Sequence, residues 1–160
     1  MPLKKTVRDI ELSEQKILVR VDFNVPFSPG TLEIANTNRI SASIPTLQYL
    51  LDKGASVIIC SHLGRPNGRE VEGLSLKPIW DKLNQMLGLH SQFCPSLDFS
   101  EISAVAKKLN VGDVLLLENL RFHKGEESND LKFSQNLAKL ADVYVNDAFG
   151  AAHRNHASVQ

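Results

Sequence analysis

The run Asp113-Val114-Leu115-Leu116-Leu117, continuing into Glu118-Asn119-Leu120-Arg121-Phe122, decides how the rest of the chain is read. Its unbroken apolar core has the pattern of a parallel strand covered on both faces, not the alternation of a strand with one wet side. It then stops in polar, anion-seeking residues. Three other stretches repeat this design. The run 16–21 leads into Asp22-Phe23-Asn24, and 55–60 leads into Ser61-His62-Leu63-Gly64-Arg65-Pro66. The run 142–145 leads into Asn146-Asp147-Ala148-Phe149-Gly150 and then His153-Arg154. A shorter run, 90–94, supplies a fifth strand.

Helical periodicity fills the gaps. Asn38 can cap a helix over 39–52 that places Ile40, Ile44, Leu47, Leu50 and Leu51 on one side, with Gly54 as its stop and Pro45 expected to kink or tighten it. A second helix over 76–87 follows Ser75, carries Pro78 in its first turn and ends at Gly88. Ser100 opens a helix to 109, and Asn129-Asp130 opens another over 131–140. Residues 27–34 break the alternation and read as a hairpin-like excursion. Strands alternating with helices predict an α/β fold, a parallel sheet with helices on both faces in a Rossmann-like three-layer arrangement.

Composition narrows the function. The 160 residues are 42% hydrophobic and 22% charged, a globular composition. Zero formal net charge gives no support to broad attraction for nucleic acid or membrane, so any cationic site is local. No apolar run reaches the roughly 20 residues of a membrane helix, and the first residues lack the apolar stretch of a signal peptide. The reading is of a soluble, cytoplasmic protein, with Cys60 and Cys94 as buried free thiols. The last residues, after His156-Ala157-Ser158, carry no capping signal and read as a truncation.

In open α/β sheets ligands bind beyond the carboxyl ends of the strands, where all four polar clusters begin. Arg65, Arg121 and Arg154 each follow a strand, and Arg39 lies in the first turn of the first helix. A guanidinium offers paired donors to phosphate or carboxylate oxygens, so four on one rim suit a ligand with several negative oxygens. Any one of them alone would read as a surface arginine. His62 reads either as a structural histidine or as a ligand-facing one, and its place before Gly64 and Arg65 favours the second. Asp22 and Asn24 either turn the chain before Pro26 or contact substrate hydroxyls. Glu118 and Asp147 read as braces for the cationic rim, and His123 and Lys124 as solvent-facing. Neither a G-x-x-x-x-G-K-[ST] nor a G-x-G-x-x-G fingerprint occurs, and there is no G-x-S-x-G elbow. His153 and His156 lack a third partner for a metal.

Arg20-Val21-Asp22-Phe23-Asn24-Val25-Pro26 resembles the opening signature of the phosphoglycerate kinase family. So do residues 61–66, 117–122 and 146–154, supported by Thr37-Asn38-Arg39-Ile40, Ile44-Pro45-Thr46, Leu74-Ser75-Leu76-Lys77-Pro78 and Lys124-Gly125-Glu126-Glu127. The resemblance covers nearly the whole chain. It implies that residues 1–160 are the N-terminal, 3-phosphoglycerate-binding domain of a two-domain glycolytic kinase, incomplete at its C-terminal edge. The nucleotide-binding domain, which would carry Mg²⁺ with ADP or ATP, is then absent. It further implies that Asp22 and Asn24 contact the glycerate hydroxyl and its neighbours, with Phe23 counted in the same motif. His62, Arg65, Arg121 and Arg154 would hold the 3-phosphate, with His153 in the basic patch. Arg39 would lie against the substrate carboxyl and stabilise the phosphoryl group in flight, the one catalytic role. Leu63, Gly64 and Leu120 would shape the loops. Residues 27–34 depart from the family in looking longer and less charged. The implied parent is a monomer whose isolated fragment does not turn over. The alternative is a standalone anion- or partner-binding module without catalysis.

Overall fold

The computed structural model describes residues 4–160. Five strands form one parallel sheet: β1 (Lys16–Arg20), β2 (Ser56–Cys60), β3 (Gln92–Cys94), β4 (Val114–Leu117) and β5 (Val143–Asn146), in the order β3-β4-β2-β1-β5. Between them lie α1 (Asn38–Asp52), α2 (Lys77–Leu87), α3 (Phe99–Lys107) and, after β4, a 3₁₀ turn (Leu120–Phe122), a one-turn helix α4 (Lys124–Glu127) and α5 (Leu131–Ala138). The α/β class and the parallel sheet anticipated from the sequence are therefore present. The 3₁₀ turn and α4 were not anticipated.

The strand order explains the layers. From β1 the chain steps through β2 to β3 in one direction, then returns through β4 and crosses to β5 at the other edge. With right-handed crossovers, the first two helices must fall on one face and the later ones on the other. The packing follows this rule. Ile17, Val19, Val57, Ile59, Val114 and Leu116 meet Ile40, Leu47 and Leu50 of α1 and Ile79 and Leu83 of α2. Leu18, Ile58, Leu115 and Leu117, one residue out of step, meet Ile102 and Ala106 of α3 and Phe133 and Leu137 of α5. Side chains of a strand alternate between faces, so apolar residues at every position are what two covered faces require.

The helix starts differ in detail from the expected ones. Helix α1 begins at Asn38 itself, whose N–H is accepted by Asn36 Oδ1 at 2.8 Å, and runs unbroken through Pro45. Asp98, not Ser100, caps α3 by accepting the Ser100 N–H at 2.7 Å. Asp130 caps α5 through the Phe133 N–H, as anticipated. Helix α2 ends where Gly88 turns left-handed (φ 65°), a conformation that costs a side-chain-bearing residue but not glycine. The 27–34 excursion closes as an antiparallel bridge between Phe27 and Ile34. Cys60 and Cys94 are both free and buried, and burial pushes the Cys60 thiol up to about 12.

No helix among the described residues is long and apolar enough to cross a membrane. Because every strand runs the same way, all the carboxyl ends open on one edge of the sheet. Residues 20–24, 60–65, 117–121 and 146–154 leave from there.

Candidate anion-binding site

Two kinds of group line this edge: clasps that hold the loops and cations that the clasps orient. Asn119, directly after β4, is the main clasp. Its Oδ1 accepts the Leu63 N–H at 3.2 Å, and its Nδ2 donates to the carbonyls of Leu63 at 2.8 Å and Leu74 at 2.9 Å. Asn24 Oδ1 accepts the next N–H, that of Gly64, at 2.9 Å. Gly64 has φ +61°, and a β-carbon there would stand 2.8 Å from a Leu74 methyl. Leu63 itself is buried. The loop after β2 is thus tied to the loops after β1 and β4 mainly by the amide side chains of Asn24 and Asn119.

Arg39 reaches the β1 loop from the first turn of α1. Its Nη1 donates to Asp22 Oδ1 at 3.1 Å and to the Asn24 carbonyl at 2.8 Å, while its side chain stays 52% exposed. Gly150 backs onto the same carboxylate, since a β-carbon there would lie 2.8 Å from Asp22 Oδ2. Asp22, Asn24, Arg39 and Gly64 therefore form one connected group. Phe23 differs. Its side chain is fully buried in the core, its N–H donates to Ser61 Oγ at 2.9 Å and its carbonyl accepts the Val25 N–H at 2.8 Å. Its part at this edge is therefore structural.

Arg121 is the most unusual residue of the site. It is only 2% exposed, and Nη1 donates to the Gly64 carbonyl at 2.9 Å. Its Nε and Nη2 are buried with no hydrogen-bond partner, Glu127 Oε1 standing 3.6 Å from Nε. Burial lowers the arginine's hold on its proton. A buried charged donor left unpaired is costly, by about 1–3 kcal/mol or more. Two such donors on one guanidinium describe a place where an anion belongs.

His62 is buried, and its proton affinity is pushed down to about 2, first by desolvation and then by the positive charges of Arg20, Arg121, Arg154 and His156. Arg154, half-buried, lies in the turns after β5, where its N–H donates to the Ala151 carbonyl. His62, Arg121 and Arg154 thus share one electrostatic environment, with His156, whose Nδ1 is likewise buried without a partner. Arg65 and His153 are exposed, and no contact among the described residues ties them to this group.

Sequence reasoning missed Arg20 and Glu126. Arg20 is fully buried. Its Nη2 lies 2.9 Å from His62 Nδ1, its Nε donates to Ser158 Oγ at 2.9 Å and its Nη1 donates to the Val21 carbonyl. Ser158 in turn gives both its N–H and its hydroxyl to the buried carboxylate of Glu126, and Tyr144 donates its hydroxyl to the Ser158 carbonyl at 2.6 Å. Two assigned braces do not brace the rim. Glu118 accepts from Ser75 Oγ at 2.6 Å and from the Leu76 and Asn119 N–H groups, fastening the start of α2 to the end of β4. Asp147 is partly buried, which raises its proton affinity, and among the described residues no ion pair joins it to an arginine. His123 is not solvent-facing either: it packs between Phe99 and Phe133, ring centroids 5.5 and 4.8 Å away.

The depressed histidine sets an acid sensitivity. The folded chain keeps His62 neutral, whereas the unfolded chain takes up a proton below its ordinary value of about 6.5. This stability is therefore fully present above that pH and is lost as the pH falls toward about 2. The slope is at most about 1.4 kcal/mol per pH unit from this residue. His123 and His156, also lowered by burial, add with the same sign. Urea midpoints should fall between about pH 7 and pH 5, and His62→Gln should flatten the fall. Glu126 and Asp147, raised by burial, act with the opposite sign, so a His62→Gln profile of unchanged slope would contradict the assignment.

A doubly wound parallel sheet whose strand ends gather half-buried and buried arginines defines an α/β protein with a cation-lined edge. Comparison with known proteins narrows this class. The family model for phosphoglycerate kinase matches residues 7–160. The phosphoglycerate kinase of Moorella thermoacetica is 52% identical over 157 residues, covering 98% of this chain and 39% of that protein. That of Desulforudis audaxviator is 49% identical over 156 residues, with the same shares. The solved phosphoglycerate kinase of Pyrococcus horikoshii superposes with a TM-score of 0.84 at 30% identity, covering 95% of this chain and 38% of that one. That of Coxiella burnetii gives 0.83 at 34% identity, covering 95% and 37%. The chain belongs to the phosphoglycerate kinase family. It spans about two fifths of the length of the curated relatives it matches.

Proposed function

We propose that this chain is the phosphoglycerate-binding domain of a kinase that transfers a phosphoryl group between 1,3-bisphosphoglycerate and ADP, giving 3-phosphoglycerate and ATP. The observation that carries this reading is Arg121, buried with two guanidinium donors unpaired beside His62 and Arg154. Phosphoryl transfer needs positioning and charge neutralisation more than covalent catalysis, and this edge offers both. His62, Arg65, Arg121 and Arg154 hold the 3-phosphate, with His153 at the periphery. Asp22 and Asn24 meet the glycerate, and Arg39 neutralises charge on the group in transfer. Asp22 and the Asn24 carbonyl aim Arg39 while leaving it half exposed, which suits a cation that must meet a phosphoryl group arriving from outside.

Magnesium-bound nucleotide supplies the other phosphoryl partner. On this reading that nucleotide belongs to a further domain, for which the relatives' remaining length leaves room, since this chain covers 39% of the Moorella thermoacetica protein. The chain by itself then binds 3-phosphoglycerate without turnover. Titration of the ¹⁵N-labelled chain with 3-phosphoglycerate should move the resonances of His62, Arg121 and Arg154 and leave those of α3 in place. No movement at those three would remove the proposal, and a chain that made ATP unaided would refute the division of labour.

A further inference from the structure

We infer that Arg20 is a positioning residue that fixes His62 as a neutral imidazole with its proton on Nε2, so that the ring meets the phosphate as a hydrogen-bond donor and not as a cation. The part concerning phosphate rests on the function proposed above; the part concerning the ring does not.

The argument begins with what arginine can do. A guanidinium has five N–H donors and no acceptor, and it stays charged. Its Nη2 lies 2.9 Å from His62 Nδ1, and both groups are buried. Nδ1 must therefore present its lone pair, because an N–H there would stand head-on against another N–H. In a neutral imidazole the remaining proton then sits on Nε2. A doubly protonated ring would add a like charge to the same collision. The charged and titratable groups acting on the ring are Arg20 at the end of β1, Arg121 after β4, and Arg154 and His156 after β5, with no carboxylate among them. Every one of them opposes a second proton.

Arg20 cannot simply swing away. Its Nη1 is spent on the Val21 carbonyl and its Nε on Ser158 Oγ, so three separate partners set the plane of the guanidinium. Ser158 is itself held by Glu126 from α4, which supplies the carboxylate that balances the buried charge. A chain of bonds thus runs from α4 through the turn after β5 and the end of β1 to the ring. In consequence His62 recognises an anion by direction while the neighbouring arginines supply the charge. Its contribution does not change between about pH 5 and 8, the range in which an ordinary histidine would gain affinity for phosphate on acidification.

The test is long-range ¹H–¹⁵N spectroscopy of the unaltered chain with labelled histidine, so no variant has to fold for it. His62 should show the Nε2–H tautomer alone, unchanged across that pH range. An Nδ1–H or imidazolium pattern would overturn the inference. Adding inorganic phosphate, and separately 3-phosphoglycerate, should shift the Nε2 resonance. A pure tautomer that neither ligand moves would leave the ring assignment standing and remove the phosphate reading. The role of Arg20 is read in Arg20→Met/Glu126→Met, which leaves neither buried charge alone. His62 should then show a mixture of tautomers and begin to titrate in the same range. A pure, non-titrating Nε2–H form in that variant would show that Arg20 does not set it.

Discussion

Replacing Arg121 by methionine should abolish useful binding of 3-phosphoglycerate while leaving the chain about as stable as before. The two results have one cause. Nε and Nη2 are buried and unpaired, so the folded chain carries their desolvation without a bond in return. In the complex each can make a charge-assisted hydrogen bond of about 1.5–3 kcal/mol, and loss of both weakens binding by roughly a hundredfold or more. Without ligand, methionine removes the two donors that lack a hydrogen bond, and loses the bond from Nη1 to the Gly64 carbonyl and the long ion pair with exposed Glu127. Replacing buried charge with apolar volume is often neutral or better, so the net change should be within about 1 kcal/mol of zero. Calorimetric titration and thermal unfolding read the two quantities. A variant that binds normally, or one that unfolds by several kcal/mol more readily, would mean that Arg121 is a structural residue.

Glu126→Leu is expected to do the reverse, damaging the fold first. It removes the carboxylate that balances buried Arg20 and leaves both donors of Ser158 without an acceptor. Leaving two buried donors unsatisfied costs about 1–3 kcal/mol each, a large part of the roughly 5–15 kcal/mol that a domain possesses. The melting temperature should fall by about 10 °C or more. Glu127→Leu, one position along, should change stability by no more than about 1 kcal/mol, because that carboxylate is at the surface. Equal effects at the two positions would show that burial of Glu126 carries no special role.

The pair also shows where sequence reading stops. In Lys124-Gly125-Glu126-Glu127 nothing local separates the buried acid from the exposed one; the difference is made by Ser158, 32 residues away. Arg20 sits at the end of an apolar run much as other arginines do, and only contacts with His62 and Ser158, 42 and 138 residues distant, reveal that it is enclosed. Glu118 reads as a partner of the cationic loop for the same reason, until its bonds to Ser75 and Leu76 at the start of α2 are seen. What the sequence did carry was periodicity. The unbroken apolar runs required two covered faces, and parallel strands required their polar ends to meet. Those are properties of the backbone, independent of distant partners, and both hold in the structure.

The arginines of this edge are unequally enclosed, and that has a kinetic meaning. Arg39 and Arg65 stand in solvent, where salt screens a charge within about 10 Å, whereas Arg121 is sealed off. On the function proposed above, the exposed pair would govern how fast the anion arrives, and the enclosed one how long it stays. On that reading, raising the ionic strength should slow capture of 3-phosphoglycerate far more than it hastens escape, and stopped-flow rates at two salt concentrations would check it.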